Sequence, residues 1–492
     1  MTSVNTWMQE RVSTQLDENI RRMNQILGVE KSFDVICRQY QFSGRRFALY
    51  FVDGLVKDDI WQFITQRLSE LEPGELAENP VDRLEDTYLG YLEVERFDRL
   101  EPLVTGVLSG PLALFVDGAA EALLIDARTY PARQPEEPDI ERVVRGARDG
   151  FTETLIFNTA LTRRRVRDPS LRMEYMQIGR RSKTDVCLAY LEDVADPRLV
   201  NMLRERLNSF DLDGLPMGEK TLEEFLFRKN WNPFPMVRYT ERPDVAAVHL
   251  LEGHVLVYTD TSPSVMITPT TLFHHVQHAE EYRQKPVVGA YLRWVRFIAI
   301  IASVVVPPLW LLLVLEPELG GARWDFIRPD EKQPLSVFWQ FLLADLGVDA
   351  LRMAAIHTPS ALTTAIGLVA AILIGQVAVD VGLFTNEVIL YLAIASIGTF
   401  ATPSYELSLA NRLVRLVLLV AVYAFRLPGL VAAFVLLFVL LASTRSLNMP
   451  YLWPLVPFNG PALLDVLVRA PVPAKGRRPS AISPQDPDRV DR

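Results

Sequence analysis

The chain has 492 residues, 49% hydrophobic and 23% charged, with 51 Lys and Arg against 60 Asp and Glu for a net charge of -9. That acidic balance argues against a general nucleic-acid binder and leaves protein and lipid as expected partners. The 2 cysteines, Cys37 and Cys187, lie far apart without CxxC spacing, which excludes a disulfide framework and a zinc site built on cysteine.

Residues 1 to 30 are polar, with Glu10, Arg11, Asp17, Glu18, Arg21 and Arg22 and no apolar core, so no signal peptide is expected. The front half should stay on the side where it is made. Arg46 to Gly54 reads as a buried strand ending in a turn, and Asp58 to Leu71 as a helix with Ile60, Trp61, Ile64 and Leu68 at helical spacing. Asp117-Gly118 between two apolar runs, over Leu112 to Asp126, signals a hairpin.

The same order returns about 140 residues later. Thr184 to Asp193 is predicted as a strand, Asp196 to Leu207 as a helix with Pro197 in its first turn, and Val245 to Thr268 as strands around turns at Glu252-Gly253 and Ser262-Pro263. Two related α/β subdomains follow from this order, although strand, helix and hairpin also succeed one another by chance. The connector between them is basic, with Arg145, Arg148, Arg163, Arg164, Arg165, Arg167, Arg172, Arg180 and Arg181. It has neither a GxxxxGK phosphate loop nor a row of aromatics for stacking, so a solvated face or a face pairing with acidic neighbours is expected.

His274, His275 and His278, near Glu280 and Glu281, lack the HExxH frame, and no GxSxG occurs. The expectation is no metal, no cofactor and no enzyme. This segment precedes a long apolar run, where Arg283, Lys285, Arg293 and Arg296 are placed to meet anionic headgroups.

Phe297 to Leu315 and Ala361 to Val379 each hold 19 residues without a formal charge, the length a helix needs to cross about 30 Å of hydrocarbon. The basic residues before the first run put the front half in the cytoplasm. Phe338 to Ile356 is also apolar, yet carries Asp345, Asp349 and Arg352 on one narrow helical face. Charges in oil must be sheltered, so this face reads either as pore-lining or as the wet side of a helix lying in the interface. Gln376 is the polar break in the next span. Val388 to Thr402 and two helices either side of Pro428-Gly429, about Leu407 to Phe425 and Leu427 to Ala442, complete five or six spans, six placing both ends inside.

The expected fold class is α/β plus membrane all-α, in four parts: 1-135, a cytoplasmic α/β subdomain; 136-285, connector and second α/β subdomain; 286-460, a polytopic helical membrane domain; 461-492, a disordered cytoplasmic tail.

Several dispersed motifs in order resemble the A subunits of the GerA-type spore germination receptors. They are Arg238-Tyr-Thr-Glu-Arg-Pro-Asp-Val245, Leu250-Leu-Glu-Gly253, Ile374-Gly-Gln-Val-Ala-Val379 and Arg445-Ser-Leu-Asn-Met-Pro-Tyr-Leu452. In the connector, Gly146-Ala-Arg-Asp-Gly-Phe151 stands where that family has Gly-Pro-Arg-Glu-Gly-Phe. Thr261 to Gln284 resembles one branch of the family rather than its nutrient-receptor A subunits. The resemblance implies a protein of the inner spore membrane that acts in germination as a homo-oligomer with an ion-releasing pore. Its implied partners are transporter-like B-type and lipoprotein C-type subunits, with the small nutrient associated chiefly with the B subunit. A non-conducting scaffold and a secondary transporter are the rival functions.

Overall fold

The computed structural model describes residues 10–76, 79–89, 93–129, 141, 143–227, 231–329, 334–357, 372–471 and 476–489. Its front half contains two five-stranded antiparallel sheets. The first is built from β1 (Val35–Phe42), β2 (Arg45–Val52), β3 (Val94–Phe97), β4 (Leu112–Val116) and β5 (Ala122–Ile125), in spatial order β1-β2-β4-β5-β3. The second uses β6 (Leu171–Ile178), β7 (Thr184–Leu191), β8 (Arg238–Thr240), β9 (Val255–Thr259) and β10 (Val265–Thr268), in order β6-β7-β9-β10-β8. Position for position the two orders are the same, which is the internal duplication that the sequence order suggests.

Each sheet is buried on both faces because its central strands alternate apolar side chains in both directions. On one face of the first sheet, Ala48, Tyr50 and Phe115 pack with α1 (Leu16–Leu27). On the other, Phe47, Leu49 and Leu114 meet Ile64 and Leu68 of α2 (Asp58–Ser69). The helix α3 (Leu100–Ser109) adds Leu103 and Val107 to the α1 side. In the second sheet Leu199, Leu203 and Leu207 of α5 (Pro197–Asn208) do what α2 does in the first. Between the sheets runs α4 (Leu155–Arg165), whose Ala160 joins the first core while Leu155 and Leu161 join the second.

One expected strand is a helix instead. Residues 245 to 252 belong to α6 (Pro243–Glu252), the counterpart of α3. Pro243 starts it, and Gly253, at φ 104, ends it in the left-handed region that glycine tolerates. The connector is also not a solvated face throughout. Arg163 is 1% exposed, because Asp34 of the first subdomain, equally buried, needs a cation beside it.

The back half is a helical bundle of α7 (Pro286–Leu315), α8 (Val337–His357), α9 (Asn386–Ala401) and α10 (Tyr405–Ser443). Of these, α7 and α10 are long and apolar enough to cross a membrane. α7 and α9 approach closely at Gly398, where a side chain would strike the Ala299 carbonyl and Ser303. The 39 residues of α10 do not form one straight rod. Arg426 has non-helical torsions (φ 55, ψ -138), and a Cβ on Gly429 would collide with the Ala421 carbonyl. Residues eight apart in a continuous helix lie about 12 Å apart. α10 is therefore a tight helical hairpin turning at Arg426 to Gly429, as the sequence pattern around Pro428 predicts.

Both ends of this hairpin rest on the second subdomain. Leu407 and Leu441 share an apolar cluster with Phe234, Val276 and Tyr451. The Asn232 amide donates to the Thr444 hydroxyl at 2.7 Å, and the Ser446 hydroxyl to the Met236 carbonyl at 2.7 Å. The span expected at Ala361 to Val379 lies largely outside the described residues, which resume with a π-helical turn, Leu373–Val377.

The tail expected to be disordered is folded back. α11 (Gly460–Leu467) is a helix, and beyond it Gln485 donates to the carbonyls of Glu192 and Ala195 at 2.8 and 2.7 Å. Arg478 donates to the Leu251 carbonyl at 2.9 Å, and Ile482 is 1% exposed. Cations at the C-terminal end of α6 meet the negative pole of that helix, which holds a proline-rich strap in place.

Candidate functional site: a buried ion cluster in the helical bundle

In α8 the spacing of Asp345, Asp349 and Arg352 puts all three on one side. That side faces the first arm of α10, which brings Arg412 and Arg415, three residues apart, to meet it. Asp345 is 1% exposed and accepts from Arg415 at 2.8 Å, with Arg412 3.7 Å away. Asp349, at the more open end, pairs with Arg412. Arg415 also donates to the Ser303 carbonyl of α7 at 3.2 Å, so three helices converge here. Arg352 extends past the cluster and lies over the Tyr405 ring, 4.8 Å from its centroid.

Two of the four pore-lining residues expected from sequence, Asp345 and Asp349, thus meet in the cluster; Arg352 lies beyond it on the Tyr405 ring, and Gln376 is exposed in its π-helical turn. Sequence reasoning missed Arg412 and Arg415 as members of the site. Their signal was two arginines inside an otherwise apolar helix, which demands anionic partners. The cluster sets two carboxylates, Asp345 and Asp349, against two guanidinium groups, Arg412 and Arg415, so the carboxylates are not a free acidic ring. Its polar capacity is incompletely used: Asp345 Oδ2, Arg412 Nε and Arg415 Nε find no hydrogen-bond partner among the described residues. Buried polar atoms without a partner are uncommon in native structures and call for a physical reason.

The basic residues expected to face lipid headgroups need correction. Arg293 is fully buried, paired with Glu281 at 2.7 Å and donating to the Val466 carbonyl of α11 at 2.8 Å. Arg296 pairs with the same glutamate, and Arg283 with Asp244. A fully buried carboxylate at position 281 recruits the two arginines that sequence order placed at a surface. Lys285 alone of the four is exposed with no ion pair among the described residues. The histidines divide as well. His274 gathers with His249 and His254, ring centroids 6.0 and 5.1 Å away, while His278 caps the short helix Ala279–Arg283. Among the described residues no group of three His, Cys, Asp or Glu is placed to hold a metal ion.

With this geometry in hand, the chain matches the family model described as Bacillus/Clostridium GerA spore germination protein over residues 21–481. It belongs to the GerA family of spore germination proteins. Within that family it is 52% identical to stage V sporulation protein AF of Bacillus subtilis (strain 168) over 94% of this chain and 93% of that protein. That is the branch to which Thr261 to Gln284 points. Spore germination protein KA of the same organism is 28% identical over 96% of this chain and 88% of its own. Among solved structures, the crystal structure of the N-terminal domain of the A subunit of the Bacillus megaterium spore germinant receptor GerK3 is similar at 27% identity and a TM-score of 0.42. It covers 53% of this chain and 96% of that domain.

Proposed function

We propose that this chain is an A-type germination subunit, embedded in the inner membrane of the bacterial spore, that assembles with copies of itself around an ion-releasing pore. The observation that carries this reading is the Asp345, Arg412 and Arg415 cluster, a charged centre with unused polar atoms inside apolar helices. The reading takes six membrane passes, of which α7 and the α10 hairpin are long and apolar enough to cross by length and composition. α7 leaves the soluble half and both ends of the α10 hairpin return to it, while Gln340, near the start of α8, accepts from the Thr385 backbone at the start of α9. Both ends of the chain then share one side, the cytoplasmic or core side, with the α/β subdomains.

The paired carboxylates set a mixed electrostatic lining rather than a purely acidic one, and Arg352 moderates its open end. The subdomains hold neighbouring copies and transmit their state through the base of the hairpin. Transporter-like B-type and lipoprotein C-type subunits are the partners, and no chemical catalysis is involved. A non-conducting scaffold is favoured by one observation, that Asp345 is neutralised within its own chain.

Reconstitution of the purified protein into liposomes separates the readings. Passive ion flux is expected. An absence of flux identifies the scaffold, and saturable flux dependent on a second solute identifies a secondary transporter.

A further inference from the structure

The duplication in the soluble half holds residue by residue. Asn19 of α1 bridges the Ser13 backbone, accepting from its N–H at 2.8 Å and donating to its carbonyl at 2.6 Å; Asn158 of α4 does the same at Thr152, at 2.7 and 2.6 Å. The Leu16 N–H donates to Asp117 and the Leu155 N–H to Asp260, each carboxylate lying in the turn of its own hairpin. Helices α1 and α4 are therefore equivalent, and so are α3 and α6, which close on the left-handed glycines Gly110 and Gly253.

α4 also lies across the first subdomain, where a Cβ on Gly54 would come within 3.1 Å of both Ala160 and Ile156. Leu108 of α3, in one apolar cluster with Ala160, is 1% exposed. The first subdomain thus accepts the leading helix of the unit that follows it, as repeats in a stack do. The second subdomain has the same accepting face. Asp193 stands where Gly54 stands, two residues beyond its strand, and the Val194 N–H closes onto the Leu191 carbonyl at 3.2 Å as Leu55 closes onto Val52 at 3.2 Å. Leu251 stands where Leu108 stands, two residues before the closing glycine, yet it is 46% exposed and Val248 beside it on α6 is 52% exposed.

The C-terminal strap crosses part of this face. The Gln485 N–H donates to the Val194 carbonyl at 2.9 Å, and Pro484 lies beside Gly253. Ile482 is the one buried residue of the segment 476–489, so little apolar burial holds the strap down and it opens locally at low cost. What matches the face beneath it is the leading helix of another two-subdomain unit, and in a second copy that helix is α1. On α1 the positions of Ile156 and Ala160 are taken by Asp17 and Arg21, both exposed. Asp17 is engaged by Arg46 at 2.9 Å, whereas Arg21 and Asp193 have no ion pair among the described residues.

Stacking a second copy as α4 is stacked brings Arg21 to Asp193. A base then meets an acid where the internal contact has alanine on glycine, and the copies sit further apart by the breadth of those side chains. The methylenes of the arginine cover the apolar surface of Leu251. We propose that the second subdomain docks α1 of a second copy in place of the strap, so that the stack inside one chain continues into the next. The contact joins two different faces, which makes it head-to-tail, the kind that closes a ring. It rests on the reading of the chain as an assembly of copies and names the faces that meet.

The test places thiols across that contact. Full-length Arg21→Cys and Asp193→Cys chains, co-expressed with tags of different size, are purified in detergent and treated with a short bis-maleimide; both positions are exposed, so folding is not at stake. The expected product is a covalent dimer of the two tagged chains that neither variant yields alone, and a ladder of higher species from a chain carrying both substitutions. Ending that chain at residue 475, which removes the strap, should raise the yield. Protein that assembles by native mass yet gives no such dimer, a cross-link confined within single chains, or a yield indifferent to the strap overturns the proposal and leaves the pore reading in place. A monomer by native mass overturns both.

Discussion

The two halves of the molecule each bury an arginine against an aspartate, and they finish the job differently. Between the α/β subdomains, Arg163 meets Asp34 at 2.8 and 3.2 Å and also donates to the carbonyls of Asp168 and Leu171, so each of its nitrogens has a partner. Among the helices, Asp345 and Arg415 share a single 2.8 Å bond and leave Asp345 Oδ2 and Arg415 Nε without one. A saturated pair is a fastener whose only effect is to fix orientation. A pair with atoms to spare has capacity for something that comes and goes, and low dielectric makes that capacity energetically significant.

The largest expected effect comes from breaking the helical cluster. Asp345→Ala strands Arg415 and should lower stability by about 3–5 kcal/mol, read as a fall in thermal midpoint in detergent. Next is the fastener: Arg163→Ala leaves Asp34 buried and unpaired, with a loss of similar order, again about 3–5 kcal/mol, but with the proposed ion flux unchanged in whatever fraction stays folded. Replacing both members sharpens the contrast. Asp34→Leu with Arg163→Met should restore most of that stability and keep ion flux.

The hairpin supplies a smaller effect. Gly429→Leu drives a side chain into the Ala421 carbonyl, and overpacking of this kind costs about 1–3 kcal/mol. A further prediction concerns pH. Burial holds His249, His254 and His275 down to about 3, below the ordinary 6.5 of an unfolded histidine. Their stabilising contribution is complete above pH 6.5 and is lost as pH falls toward 3, because the unfolded chain binds the protons first. The slope reaches at most about 1.4 kcal/mol per pH unit per histidine. His254→Leu should flatten it, visible as a smaller drop in melting temperature between pH 7 and pH 5. Smallest of all, Lys285→Ala should stay within about 0.5 kcal/mol of wild type, since its side chain is exposed and has no ion pair among the described residues.

How much of this was legible depended on how local the signal was. The strands around Asp117-Gly118 and the break at Pro428-Gly429 were readable because turn residues act within a few positions. α6 was misread as a strand because Val245 to Leu251 is short and apolar, and only Pro243 and Gly253 at its borders mark it as a helix. The face of Asp345, Asp349 and Arg352 followed from helical spacing alone. Its partners Arg412 and Arg415 lie some 70 residues away, and nothing in periodicity connects them. The same holds for Glu281, whose burial turned expected lipid-facing arginines inward, and for the tail, whose proline content hid a set of hydrogen bonds to residues near 192 and 251.

The most direct measurement is ion flux through liposomes carrying the Asp345→Leu, Arg415→Met double variant beside wild type at matched protein content. Removing both charges together spares the fold, and Asp349 still pairs with Arg412. The expected result is a variant as thermally stable as wild type whose flux is lost. Equal flux from the two proteins would contradict the assignment of this cluster to the ion path.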